Sequence, residues 1–277
     1  MTPPISDIYV ELGERMAVRL GSPRVRALHL PPLGLKATGF CALELEDGSI
    51  GFSYIQLEGV EAPLRERGNA LDVAGVPAVD LARGFASNAQ VDRALGFAAL
   101  NALAQQLFTR ANWEPPANDD SLGAIVPQRG EHIGMIGLFM RLIPAIESAG
   151  ARLTVLELNP SLVRDEPNYR VTLDPAELVH CDPIISTCTI LLNDTLDDVL
   201  AAGRNARRFA VVGPTASCMP DPLFARGIDS LGGRRVADRE GFVAAFTSGK
   251  KWGAHTNKYV LTRENYPGIE WLLARAR

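Results

Sequence analysis

The sequence predicts an α/β chain in two parts. A small α+β lobe over residues 1–115 precedes a doubly wound, mostly parallel sheet domain over residues 116–277. Three observations predict it. Residues 112–120 hold Pro115 and Pro116 followed by Asn118, Asp119 and Asp120, a run that breaks helix and strand alike. Before it, helix and hairpin signals follow one another, and after it short apolar strands alternate with helices.

In the first part, Ile8, Leu12, Met16 and Leu20 recur every four residues, and Gly21 suits a helix C-terminus. Residues 39–45 and 50–57 read as strands joined across Glu46, Asp47, Gly48 and Ser49, with Asp-Gly the tight-turn signal. Ser87 to Gln90 has the capping-box pattern, so a helix is expected from Ser87 as N-cap to about Phe108. Val91, Leu95, Ala98, Ala99, Ala102, Leu103 and Leu107 form its buried stripe.

In the second part, residues 133–137 form a short apolar strand ending in glycine. A helix over 142–149, a strand over 153–156, a short acidic helix and a strand over 183–186 follow. Then come a helix from about Asn193 to Ala202, an apolar strand over 209–212, an edge strand at 235–238 and a helix over 239–247. The alternation implies βαβ units.

Composition narrows the function. Charged residues make up 22% and apolar residues 47%, so disorder and coiled coil are excluded. Lys and Arg number 28 against 32 Asp and Glu, and a net charge of −4 leaves no footprint for nucleic acid. No apolar run is long enough for a bilayer, and the first residues lack an export signal. Four cysteines, Cys41, Cys181, Cys188 and Cys218, read as reduced thiols of a cytoplasmic protein rather than a disulfide framework.

Ligands of doubly wound sheets bind beyond the carboxyl ends of the strands, which ranks the loops. Gly134 and Gly137 bracket the end of the first strand, where a bare backbone can approach a ligand. Glu157 lies 23 positions after Gly134, where dinucleotide-binding folds carry a ribose-binding acid, although G-x-x-G-x-F departs from G-x-G-x-x-G. Nucleotide-type binding and plain helix-on-sheet packing both fit this loop.

Thr187, Cys188, Thr189 and Asn193 crowd a strand-to-helix junction able to cradle an anion, though Asn193 or Thr195 equally suits a helix cap. Gly213, Pro214 and Thr215 follow the buried strand, with Ser217 and Cys218 beyond. Cys181, Cys188 and Cys218, with His132 and His180, could converge on a metal, but six residues between Cys181 and Cys188 are too many for a structural zinc pair. Burial as small hydrophobes is the alternative for each thiol.

In the first part the polar candidates are Asn69, Asn88 and Asn101; Asn101 in an apolar helix either bonds backbone or faces a cleft between the lobes. His29 and His255 read as surface residues. Lys250, Lys251 and Trp252 read as an anion clamp or a solvated tail.

Four stretches together resemble one family. They are residues 133–139 with Glu157; residues 181–195, close to D-x-x-x-x-T-G-T-T-L-x-N-x-T; residues 213–216, close to G-P-S-x-P; and residues 222–233 with Val236 and Asp238. The second part thereby resembles the Rossmann-like domain of the putative heavy-metal chelation family. The first part, through residues 87–103 and the hairpin, is similar to that family's enolase N-terminal-like α+β lobe. The resemblance covers most of residues 5–249 and leaves those beyond about 250 as an extension. It implies a ligand cleft between the lobes and a role with a heavy-metal ion or metal chelate. Two departures stand out: Cys188 where the family has glycine, and Cys218 near the second proline of the Gly-Pro-Ser loop. The added thiols point either to a different ligand or to a softer metal.

The expected ligand set is Gly134, Gly137, Glu157, Thr187, Cys188, Thr189, Asn193, Gly213, Pro214, Thr215 and Asn101, with Cys188, Cys218 and His132 as metal candidates. Small-molecule or metal partners are expected, a homo-oligomer is compatible, and nucleic acid and membrane are not. The rival reading is an enzyme using S-adenosylmethionine or NAD, for which the sequence supplies no general base, nucleophile or metal triad. A structural or regulatory module whose cleft is filled by its own side chains is the third.

Overall fold

The computed structural model describes residues 3–33, 39–68 and 73–277, so Asn69 lies outside the described residues. The chain opens with α1 (Ile5–Leu20), closed by Gly21 in the left-handed conformation at φ +78°. A three-stranded antiparallel sheet follows, β1 (Val25–His29), β2 (Phe40–Leu45) and β3 (Ile50–Tyr54), in the order β1-β2-β3. The expected hairpin is β2–β3, with Ala42 opposite Phe52. Then come α2 (Glu61–Gly68), α3 (Ala78–Ala82) and the long α4 (Gln90–Arg110).

The second part contains β4 (His132–Ile136), α5 (Ile143–Ser148), β5 (Arg152–Leu156), β6 (Arg164–Asp165), β7 (Tyr169–Thr172) and β8 (Ile184–Thr187). It continues through α6 (Leu196–Ala202), β9 (Phe209–Val212), α7 (Asp221–Ala225), β10 (Ser230–Val236), α8 (Arg239–Thr247), β11 (Thr256–Thr262) and α9 (Ile269–Arg275). Its eight strands lie in the order β11-β10-β9-β8-β4-β5-β7-β6. The six from β10 to β7 run parallel, and β6 and β11 flank them antiparallel. Ranked along the chain, the parallel strands stand 6-5-4-1-2-3, the order of doubly wound dinucleotide-binding sheets. Strand order reverses at β4, so the switch point lies between β4 and β8.

One sheet face, with Ile133, Met135, Val155, Ile185 and Val212, packs against α5, Leu122 and Ile125. The opposite face, with Ile136, Leu156, Ile184, Val211 and Leu231, shares one core with α1 and α4. Every residue of α4 from Arg93 to Phe108 is buried. The apolar stripe read from the sequence therefore understates this helix, which has the small sheet on one side and the large domain on another. Gly51 of β3 shows how close the first contact is: a Cβ there would lie 2.2 Å from both Ala98 O and Ala102 N. The far face of the small sheet packs against α8, where Ala42, Ile50 and Phe52 meet Phe242, Phe246 and Trp252.

Several expectations are corrected. Ser87 does not cap α4; its Oγ accepts the Ala89 N–H at 3.1 Å, and the helix begins three residues later at Gln90. His29 is part of β1, its side chain 13% exposed and 2.7 Å from Glu44. Trp252 is core rather than tail, stacked on Phe52 with ring centroids 5.5 Å apart. His255 stays at the surface as expected, bonded to Asp238 at 2.8 Å. Among the described residues, no helix is long and apolar enough to cross a membrane.

Candidate functional site

The carboxyl ends of β4, β5, β8 and β9 bring Gly137, Glu157, Thr187 and Gly213 to one edge of the sheet. Gly137 (φ +81°) leaves β4 beside Thr187, and a Cβ on it would stand 3.1 Å from Thr187 Cγ2. Gly213 (φ +123°) has nothing within 4 Å of where its Cβ would be. Around them Thr187, Thr189, Asn193 and Pro214 are partly exposed. Thr187 Oγ1 accepts the Thr189 hydroxyl at 3.2 Å, and Asn193 Oδ1 accepts the Thr195 hydroxyl at 2.8 Å. Asn193 is thus a local brace, and α6 starts without a side-chain cap.

Glu157 turns inward. Its Oε1 accepts the Leu138 N–H at 2.6 Å and its Oε2 the Leu158 N–H at 3.1 Å, so it ties the loop after β4 to the end of β5. Its charge also reaches Tyr54 of β3, whose phenol is pushed up by burial first and then by Glu157 and Glu61.

Other candidates serve packing. Gly134 lies inside β4, where a Cβ would meet Cys181, Ile184 and Leu178 at 3.0 to 3.2 Å. Asn101 is wholly buried and donates through Nδ2 to Phe52 O at 2.6 Å and to Thr215 O at 2.9 Å, stitching β3 and α4 to the loop after β9. The Thr215 hydroxyl is buried and takes no protein partner among the described residues. Arg93, 6% exposed, donates to Leu191 O and Leu192 O at 3.0 and 3.1 Å, so α4 also seals the turn after β8. Where the sequence suggested a cleft, the seam is packed at these positions. It opens into a pocket of about 130 Å³ between the turn from Asp47 to Ile50 and the side chains of Gln105, Thr109 and Arg235.

The metal candidates separate into two places. His132 begins β4, bonded to Thr154 Oγ1 at 2.8 Å; burial first, then the Arg152 charge, keeps its imidazole below the usual range. Cys188 follows the end of β8, so strand rise alone sets it about 13 Å or more from His132. Cys181 belongs to the His132 end, beside Glu177 O and Thr154. Cys188 and Cys218 lie at the other end, both 1% exposed, and burial first, then Cys218, pushes the Cys188 thiol up.

Two residues beside this edge were not foreseen. Arg234 of β10 is tied by its backbone to Ser217, its Nη1 donates to Thr256 Oγ1 at 2.6 Å, and its Cζ lies 5.5 Å over the Trp252 ring. Burial first, and then the like charge of Arg141, lowers its pKa, with Asp119 acting the other way. Neither Arg234 nor Arg141 forms an ion pair among the described residues. Nothing in the sequence separates Arg234 from Arg235, its neighbour in a surface-type run.

Known proteins now bear on this geometry. A family profile described as putative heavy-metal chelation matches residues 122–264, and a second profile of the same description matches residues 35–104. The chain belongs to the putative heavy-metal chelation family. The match runs to residue 264 and takes in β11, so residues 250–264 are family pattern rather than an extension.

An uncharacterised protein of Methanocaldococcus jannaschii is 34% identical over 155 residues, covering 53% of this chain and 56% of that protein. This chain therefore matches little more than half the relative's length. Two solved structures of family proteins of unknown function share the fold. One, from Pyrococcus horikoshii, is 18% identical with a TM-score of 0.68 and covers 92% of this chain and 99% of its own. The other, from Desulfitobacterium hafniense, is 23% identical with a TM-score of 0.67, covering 92% and 98%.

Proposed function

We propose that the chain binds a small anionic metal chelate at the carboxyl end of its parallel sheet. Gly137, Thr187, Thr189, Gly213 and Pro214 would supply backbone and hydroxyl contacts, and Arg234 with Arg141 the charge. The observation that carries this reading is the half-buried Arg234. It has a like charge nearby and no ion pair among the described residues, and it stands two positions past Gly232, whose carbonyl accepts the Gly213 N–H at 3.0 Å. A carboxylate-rich ligand would relieve that charge through charge-assisted hydrogen bonds.

The family description supports a metal as cargo, and the donor set favours a chelated form. Among the described residues no group of three or more His, Cys, Asp or Glu side chains could hold a metal ion. A borderline ion that wants four protein donors does not fit here. A chelate, whose metal arrives with its own donors, asks only for the contacts named above.

The strand order equally suits a nucleotide cofactor, but both Glu157 oxygens already accept backbone N–H groups, which leaves that carboxylate poorly placed for a ribose. Calorimetric titration of the full chain with ferric citrate, nickel citrate, NAD and S-adenosylmethionine separates the readings. The chelates should bind, and Arg234→Gln should weaken them about tenfold or more, the loss of one charge-assisted bond. Binding of neither chelate, or unchanged binding by Arg234→Gln, would sink the proposal. Binding of NAD or S-adenosylmethionine instead would favour the enzyme.

A further inference from the structure

The chelate reading uses Arg234 for its charge and leaves the rings beside it unexplained. They form a continuous row. Arg234 Cζ lies 5.5 Å over Trp252, the Trp252 and Phe40 ring centroids are 6.4 Å apart, and those of Phe40 and Tyr54 are 5.5 Å apart. The two ring–ring contacts are edge-to-face, at 84° and 70°. The row crosses from the large domain to the small sheet: Arg234 belongs to β10, Trp252 follows α8, Phe40 opens β2, and Tyr54 closes β3 directly opposite it.

Both ends of the row are unfinished. Arg234 donates through Nη1 to Thr256 Oγ1, while its Nε and Nη2 have no protein acceptor among the described residues. Tyr54 meets no ring but Phe40, and its hydroxyl has no hydrogen-bond partner among the described residues. Phe40 and Tyr54 stay partly exposed, although Phe52 on the same hairpin is wholly buried. A cross-strand aromatic pair steadies any sheet, but that role asks for no cation with free donors two ring contacts away.

We propose that the ligand of this site is an aryl carboxylate, with its carboxylate on Arg234 and its ring against Phe40 and Tyr54. The inference rests on the chelate reading for the place of the site and adds the organic frame of what binds there. A guanidinium with free N–H donors matches the two oxygens of a carboxylate. Trp252 is held between Arg234 and Phe52, whose ring is stacked on it at 5.5 Å, so it orients the guanidinium and leaves ring contact to Phe40 and Tyr54. Because Trp252 separates Arg234 from Phe40, the ligand's carboxylate and ring are joined by a short chain rather than directly.

The full chain, in EDTA so that no metal takes part, is titrated calorimetrically with benzoate, 3-phenylpropionate and 3-cyclohexylpropionate. 3-Phenylpropionate should bind more tightly than benzoate, and about three- to tenfold more tightly than its saturated analogue, the preference a ring-on-ring contact supplies. Arg234→Gln should weaken it about tenfold or more. Tyr54→Leu should erase the preference over the saturated analogue, and Tyr54→Phe should keep it. No binding of any of the three acids, equal binding of the aromatic and saturated acids, or binding indifferent to Arg234→Gln would overturn the proposal. Comparing the two propionates uses the wild-type chain, so it decides the matter even if a variant does not fold. Binding of the citrate chelates without 3-phenylpropionate would remove this inference alone, whereas binding of 3-phenylpropionate without the chelates would remove only the chelate reading.

Discussion

Asn101 offers the sharpest test of how the two parts are joined. Its amide is wholly buried, and Nδ2 alone serves two carbonyls, Phe52 O at 2.6 Å and Thr215 O at 2.9 Å. Asn101→Leu keeps the branched shape and improves helix propensity but leaves both acceptors facing apolar atoms. Each buried acceptor left unsatisfied costs about 1–3 kcal/mol, and local relaxation recovers part of that, so a loss of about 2–4 kcal/mol is expected. With a urea slope of about 3 kcal/mol/M, a loss in the middle of that range lowers the midpoint by roughly 1 M.

Asn101→Asp adds a sign. A carboxylate aimed at two carbonyl oxygens is favoured in its protonated form, so the folded pKa is raised above the unfolded value of about 3.9. Its stability is fully present below that value and is lost as pH rises through the folded pKa. Urea unfolding followed by circular dichroism and tryptophan fluorescence at pH 4 and pH 7 reads both effects. A change under about 0.5 kcal/mol in Asn101→Leu, or an Asn101→Asp chain that gains stability relative to wild type from pH 4 to 7, would refute the reasoning.

Glu44 is wholly buried between Arg239 Nε at 2.5 Å, His29 Nε2 at 2.7 Å and Arg26 Nε at 3.2 Å. Burial alone would raise its pKa, but the bonds and charges of Arg239 and His29 outweigh burial and hold it below the usual carboxylate range. Its contribution is therefore complete above the unfolded pKa of about 4.3 and is lost as pH falls through the lowered folded value. Glu44→Gln should cost about 2–3 kcal/mol at pH 7, towards the low side for a broken buried pair, because Arg26 and Arg239 are 49% and 41% exposed. Denaturant midpoints from pH 3 to 7 should show a flatter acid limb in this variant. Gly51→Ala should cost more than about 4 kcal/mol or prevent folding, since its Cβ would strike α4 backbone at 2.2 Å. Gly253→Ala, whose nearest neighbour is Arg234 Nη1 at 3.7 Å, should stay within about 0.5 kcal/mol in the same denaturant titration.

The parallel strands β4, β5, β8 and β9 were legible because each is a short apolar run bounded by turn residues, and β9 matches its expected span, 209–212. Three strands at or next to the sheet's edges were not. β6 is two residues long, β7 reads Tyr-Arg-Val-Thr with arginine in its middle, and β11 alternates in a stretch whose Lys and Asn suggested a tail. Strands at or beside a sheet edge carry polar residues, which erases the apolar signal. Gly137, Thr187 and Gly213 were read from loop position, and the switch-point geometry groups them. Arg234 was invisible because its meaning depends on Trp252, Thr256 and Arg141, all distant in sequence. The cysteine and histidine set is not brought to one place, because His132 starts a strand and Cys188 follows the end of another.

The burial of α4 also bears on synthesis at the ribosome. Arg93 finds its carbonyl at Leu192 only 99 positions later. At about 5–20 residues per second, a helix buried from Arg93 to Phe108 waits roughly 5–20 s before the turn that covers it exists. During that interval the nascent chain presents a chaperone-binding segment, and a ribosome stalled between residues 110 and 190 would release a product prone to aggregate.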